Sequence, residues 1–169
     1  MQLKNARKER VEAILCDLEF GIPIKNKMIN IITCLDVIEH VVDTDNLLLE
    51  ISRVLKPDGW LLITIPNLAS VFDRIAILLG FQPFSLEVSK NYKFGDIRGW
   101  RRPVVGHLKA FVPRAIIQML QSHGYVIKKI YGIPSDATKG ILHFFDVFFS
   151  KISFHFASEI IILAKKEKS

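Results

Sequence analysis

The stretch MINIITCLDVIEHVVDTDNLLLEISRVLKPDGWLLITIPN, residues 28–67, decides the fold. Met28–Leu35 is a short apolar run rich in β-branched side chains, the composition of a buried strand. Asp43 or Thr44 can cap a following helix. In that helix Leu47, Leu48, Ile51, Val54 and Leu55 keep to one face of a 3.6-residue period. Lys56-Pro57-Asp58-Gly59 stops it, because proline cannot continue a helix, and the pattern predicts a type I turn. Trp60–Ile65 is then a strand apolar on both sides, which calls for cover on both faces of a sheet. Pro66-Asn67 ends it.

Working outward, residues 2–10 read as the end of a helix and Val11–Cys16 as another short strand. Gly21 and Pro23 punctuate the loop between. Downstream, Leu68–Leu79 reads as a helix, and residues 80–112 form a long irregular excursion, a type that is functional or mobile. Pro113 suits the first turn of a helix through Ser122, with Gly124 just past its end. Tyr125–Tyr131 and Ser158–Ala164 are later strands. Within residues 139–156, Ile141, Leu142, Phe144, Phe145, Phe148, Phe149 and Ile152 recur at helical spacing, with Asp146, Ser150 and Lys151 falling away from them. That Phe-rich face is read first as cover for a sheet and second as a helix lying on a membrane surface. Strands alternating with helices predict an α/β fold, an open sheet of parallel strands. Ligands of such sheets sit outside the carboxyl ends of the strands. Those ends are Asp17–Glu19, Cys34–His40 and Asn67 onward.

The chain has 169 residues, of which 50% are hydrophobic and 24% charged, a globular balance in a length that makes one domain, residues 1–169. Two cysteines, Cys16 and Cys34, form no disulfide framework and point to a reducing, cytoplasmic setting. The charged N-terminus lacks the apolar core of a signal peptide, and no apolar run is long enough to cross a membrane. The net charge is +6. Its basic residues gather at Lys4, Arg7, Lys8 and Arg10, and again at Lys90, Lys93, Arg98, Arg101 and Arg102 among Tyr92, Phe94 and Trp100. Both clusters read as solvated surface; the second could also meet an anionic substrate. No nucleic-acid motif accompanies the charge.

CDLEFGIPIKNKMINIITCLDVIEHVVDTDNLLLEISRVLKPDGWLLITIPN (residues 16–67) resembles the class I S-adenosylmethionine-dependent methyltransferases, as does GHLKAFVPRAIIQMLQSHGYVIKKIYG (residues 106–132). The likeness lies in the order of an acidic DLE, a proline loop, a strand before LDVIEH, a helix ending RVLKPDG and a strand ending TIPN. It implies a Rossmann-like methyltransferase sheet with S-adenosylmethionine as cofactor and a small molecule, glycan or lipid-linked group as acceptor. Two features of the family are missing. The glycine-rich loop after its first strand and the acid ending its second have no counterpart, and the first glycine of this sequence is Gly21. The resemblance therefore implies an incomplete, truncated domain lacking the family's first two strands, which lie between the Val11–Cys16 and Met28–Leu35 strands. Their absence leaves an exposed sheet edge, open to a partner chain or to self-association. Three readings follow: a methyltransferase fragment, a non-catalytic remnant acting as a partner subunit, and, disfavoured by the lack of a phosphate loop, another nucleotide-binding enzyme.

By the same resemblance, Asp17 takes the adenine amino group, Leu18 stacks on the adenine, and Cys34 and Leu35 border the cofactor. Asp17 could equally cap a turn, and Cys34 fill a core. Asp36, Glu39 and His40 follow the strand. His40, His107 or Asp36 could remove a proton from an acceptor hydroxyl, and Glu39 could position substrate or cap the helix. Asn67 could touch substrate or satisfy its turn; Tyr92 and Arg98 lie on the substrate-side loop. His123 reads as a cation at a helix end, and His143 and His155 show no metal-ligand spacing, so no metal site is expected.

Overall fold

The computed structural model describes residues 12–99 and 103–167. Its strands are β1 (Ile29–Leu35), β2 (Leu55–Pro66), β3 (Tyr125–Ile133) and β4 (Glu159–Lys166). Its helices are α1 (Thr44–Val54), α2 (Val71–Leu78), α3 (Pro113–Ser122) and α4 (Ile141–Ile152), and a single 3-10 turn spans Ile38–His40. The strands form one sheet in the order β1-β2-β4-β3. The fold is thus mixed α/β with an incomplete Rossmann-like sheet.

The core follows from strand alternation. On one face Leu61, Ile63 and Ile65 of β2 stand opposite Ala164, Ile162 and Ile160 of β4, and all six are fully buried. Cys34 of β1 pairs with Ile63. Leu47, Leu48 and Ile51 of α1 and Ile116 and Leu120 of α3 cover this face. Asp43 caps α1 by accepting the Asn46 amide at 2.9 Å, as the sequence predicts. Pro113 opens α3, and Gly124 follows it at φ +76°.

Four expectations need correction. Only β1 and β2 are parallel; β4 runs antiparallel to both β2 and β3. The chain returns through α4 to the end of the sheet it has just left, so β4 enters reversed, and alternation of strand and helix carries no record of that. Residues 12–16 form no strand, and Val11 lies outside the described residues. A strand needs a ladder partner for its N–H and C=O groups, and these residues pair with none of the described strands, leaving the outer edge of β1 open. Lys56-Pro57-Asp58-Gly59 belongs to β2 rather than preceding it, and Asp58 at φ +63° gives the third turn position the sign of a type II turn. A Cβ on Gly59 would stand 2.9 Å from the Lys56 carbonyl oxygen. Asp58 pairs with Lys165 at 3.0 Å. An exposed pair stabilises by at most about 1 kcal/mol, so it offsets part of the left-handed strain at most. The helix expected over residues 2–10, and Trp100, Arg101 and Arg102, lie outside the described residues.

The fourth correction concerns α4. Its polar side faces inward: Asp146 is fully buried, accepting the Ser135 amide, the Thr138 hydroxyl and the Ser158 hydroxyl at 2.8–3.1 Å. Its apolar side faces out, with Phe144 at 65% and Phe148 at 51% exposure. A buried unpaired carboxylate costs several kcal/mol, and these three donors remove that cost in the orientation the helix adopts.

The outer edge of β1 has no partner among the described residues, and Ile31 there is 61% exposed. Sedimentation at increasing concentration is expected to show self-association, and Ile31→Lys to suppress it without lowering the melting temperature by more than about 2 °C, the cost of a surface change. A strictly monomeric wild-type chain would remove the edge as an interface between copies.

Candidate functional site

The site grows from the carboxyl end of β1. Asp36 leaves the strand at φ +51°, a left-handed conformation that costs energy and recurs at functional positions. Thr64 on the neighbouring strand holds it there. Its Oγ1 accepts the Asp36 amide at 3.0 Å, and its hydroxyl donates to the Asp36 carboxylate at 2.8 Å. The 3-10 turn then plunges Ile38 and Glu39 into the interior and leaves His40 half-buried.

The long loop comes to meet it. Buried Asp73 of α2 fastens its start, accepting the Phe84 amide and the Ser85 hydroxyl at 2.6 Å each. Glu87 then accepts the amides of Val105, Gly106 and His107 at 2.8, 2.8 and 3.2 Å, and pairs with Lys93 at 3.1 Å. Burial alone would raise the Glu87 pKa; the Val105 and Gly106 amides and the Lys93 ammonium outweigh it and hold the acid below the usual range. Finally the Leu108 and Lys109 amides donate to the Glu39 carbonyl oxygen at 2.8 and 3.1 Å.

This clamp sets His107 against His40, their ring centroids 5.0 Å apart. The Nδ1 of His40 lies 2.9 Å from the Gly106 carbonyl, and that of His107 lies 3.2 Å from the Ser85 carbonyl. A carbonyl oxygen only accepts, so each Nδ1 carries a proton, and the tautomer this fixes has its lone pair at Nε2. Burial lowers the His107 pKa, and nearby His40 lowers it further, which favours the neutral ring. Glu39 is 1% exposed, and neither of its carboxylate oxygens has a hydrogen-bond partner. Burial, reinforced by Asp36, raises its pKa.

The remaining predicted residues divide. Asp17 and Leu18 lie at the same end of β1, because Glu19 beside them accepts the Val42 and Asp43 amides at 2.6 and 3.1 Å. The exposed Asp17 carboxylate accepts the Glu19 amide at 3.0 Å in a local turn. Leu18 is partly buried and packs against the core. Cys34 is buried, and burial pushes its thiol up to about 12; Leu35 is exposed. Asn67 is fully buried, its amide donating to the carbonyls of Phe154, His155 and Ala157 and its oxygen accepting the Ala69 amide. These bonds fit the second of its two readings, a residue that satisfies its own turn. Arg98 is committed to Asp96 at 2.7 Å and lies over the Phe84 ring at 4.2 Å, while Tyr92 is exposed.

Sequence reading missed Thr64, Asp73 and Glu87, which position the others. Only their acidic or hydroxyl side chains could have marked them, and such residues are common in loops. A separate cleft of about 480 Å³ lies between the Cys16–Pro23 loop and α1, lined by Asp17, Phe20, Asn46, Glu50 and Arg53 among others. Its charged wall is structural. Arg53 donates to Glu50 and to the Ile22 and Ile24 carbonyls at 2.7–2.8 Å. That guanidinium holds the Glu50 pKa down to about 2.

Residues 3–130 match the methyltransferase-domain family. Among solved structures, the chain is similar to a putative methyltransferase from Bacillus halodurans, with a TM-score of 0.61 and 19% identity, covering 98% of this chain and 79% of that one. It is similar to the Haloferax volcanii putative methyltransferase solved with its Trm112 activator, with a TM-score of 0.62 and 10% identity over 98% and 67% of the two chains. A third is a Thermotoga maritima S-adenosylmethionine-dependent methyltransferase, described as a possible histamine N-methyltransferase, with a TM-score of 0.57 and 17% identity over 98% and 69%. A search of curated protein sequences returns no match.

The Glu87 clamp has a defined pH dependence. Its folded pKa is depressed, so its contribution is complete above the unfolded carboxylate value of about 4.3 and is lost as pH falls below that. Hydrogen exchange at the Val105 and Gly106 amides should quicken on acidification before the core opens. Glu87→Gln should show exchange about tenfold faster already at neutral pH, the loss of charge-assisted bonds. Unchanged exchange in that variant would mean the loop is held by other contacts.

Proposed function

The chain belongs to the methyltransferase-domain family, and on that premise we propose that it serves S-adenosylmethionine-dependent methyl transfer to a hydroxyl of a small molecule, glycan or lipid-linked acceptor. The observation that carries this reading is the meeting of His40 and His107, rings 5.0 Å apart, beside buried Glu39 at the carboxyl end of β1.

The residues present fit one flank of the cofactor. Asp17, an exposed carboxylate at that strand end, would accept from the adenine amino group, and Leu35 and Cys34 would border it. No glycine-rich loop occurs among the described residues, so nothing is assigned to the methionine end. When bound, the sulfonium donor supplies an electrophilic methyl carbon. The chain's own residues do the rest. His107, whose burial favours the neutral ring, offers a lone pair, which suits withdrawal of a hydroxyl proton as the oxygen attacks, with His40 and buried Glu39 beside it. The clamp through Glu87 and the Glu39 carbonyl fixes their geometry in advance. Asp36, held by Thr64, borders this place. The outward apolar face of α4, with Lys139 and Lys151 near its ends, favours the lipid-linked class of acceptor.

Calorimetry on the full chain is expected to show S-adenosylmethionine binding, weakened about tenfold by Asp17→Asn through loss of one hydrogen bond to the adenine. With tritiated donor and a panel of hydroxylated acceptors, His107→Gln should lower transfer by about 10²–10⁴-fold at little cost in donor affinity. No donor binding by the wild-type chain would defeat the proposal.

Flotation with vesicles containing anionic lipid tests the acceptor class. The wild-type chain should float, and Phe148→Asp should sink. A chain that never floats would point to a soluble acceptor.

A further inference from the structure

We propose that Glu39, His40 and His107 bind a divalent transition-metal cation, through a carboxylate oxygen and the Nε2 atoms of both imidazoles. Each of the three offers a ligand atom, a carboxylate oxygen or a ring nitrogen, and these atoms lie within 4.8 Å of one another. A tetrahedral site with bonds of about 2.0–2.1 Å has ligand–ligand edges of about 3.3 Å. Small side-chain rotations close that gap.

Three features mark this as a prepared site rather than a chance cluster. The first is the acid. Glu39 is buried with both oxygens unpartnered, and burial without compensation is what a carboxylate awaiting a cation shows. The second is the pair of imidazoles. Metal-ligating histidines donate their other ring N–H to a carboxylate or backbone carbonyl, which fixes tautomer and orientation. Both histidines here do so, to Gly106 and to Ser85. The third is the framework. Gly106 and His107 are held by Glu87, and the next two amides bond to Glu39 itself, so the ligands on the loop and on the β1 turn are tied together.

Two imidazoles and one carboxylate suit zinc, iron or manganese better than calcium. Three protein ligands leave coordination positions open, the arrangement of catalytic sites. The inference rests on the hydroxyl-acceptor reading above and deepens it. With the ion bound, the imidazole lone pairs hold the metal in place of taking the proton; a coordinated hydroxyl loses its proton to solvent more readily, and its oxygen is presented as the nucleophile. The sequence points to no metal because His107 lies far along the chain from Glu39 and His40. Ligand spacing recognises only near neighbours.

The test uses the full chain, without a polyhistidine tag, titrated with Zn²⁺ by calorimetry and with Co²⁺ by visible absorption. One ion per chain with a dissociation constant of about 10 μM or tighter is expected, with Co²⁺ bands of a nitrogen- and oxygen-ligated ion. His40→Gln, His107→Gln and Glu39→Gln should each weaken binding by at least about tenfold. His155→Gln should not. Circular dichroism checks that each variant folds, and Glu39→Asp replaces Glu39→Gln if the latter does not. Zn²⁺ should also raise the melting temperature of the wild-type chain and not of His107→Gln. No uptake by the wild-type chain below millimolar ion, or uptake undiminished in the His40 and His107 variants, would overturn the proposal. Metal binding without S-adenosylmethionine binding would defeat the donor reading and leave the metal site standing.

Discussion

Glu39 is the residue on which the molecule turns, because its backbone and its side chain make opposite demands. Its carbonyl oxygen takes two amides from the long loop, at Leu108 and Lys109, and so ties that loop to the end of β1. Its carboxyl group is carried into the interior by the same 3-10 turn, next to Ile38, which is fully buried. Swinging the whole turn to solvent would withdraw Ile38 from the core and break the loop attachment. A large apolar side chain returned to water costs about 1.5–3 kcal/mol, and two backbone hydrogen bonds add about 1–3 kcal/mol. Those terms hold an unfavourable acid where it is.

The sheet's core was legible in residues 28–67, where apolar composition, the Asp43 cap and the proline stop each have a local physical cause. The same holds for α3, framed by Pro113 and Gly124. Strand direction was not legible, since β4 is apolar on both faces and would read the same in either direction. The inversion of α4 was hidden for another reason. Periodicity tells which residues share a face, but not which face turns inward. On the inward face Asp146 meets Ser135, Thr138 and Ser158, donors outside the helix that only the fold brings to it.

The candidate site was half legible. Asp36, Glu39 and His40 are neighbours in sequence and stand at a strand end, where α/β sheets place their ligands. That His107 joins them depends on Glu87, Asp73 and Ser85, whose roles arise from loop closure and leave no pattern in the chain. Asn67 and Arg98 show the reverse. Their chemistry invites a substrate, yet the fold commits Asn67 to three carbonyls and Arg98 to Asp96.

The protonation state of Glu39 does not by itself remove its cost. Ionised, it is a buried charge without a hydrogen bond, a burden of several kcal/mol. Neutral, it still lacks a partner for its hydroxyl and carbonyl, a burden of about 1–3 kcal/mol. A chain of this size is stable by only about 5–15 kcal/mol, so either form takes a substantial share. Apolar residues of similar volume would fill the same space without that burden. Groups that break a local rule with no structural compensation are expected where function needs them. The two imidazoles beside it, each with its lone pair at Nε2, complete a set of groups that only a cation or a hydrogen-bond donor can satisfy.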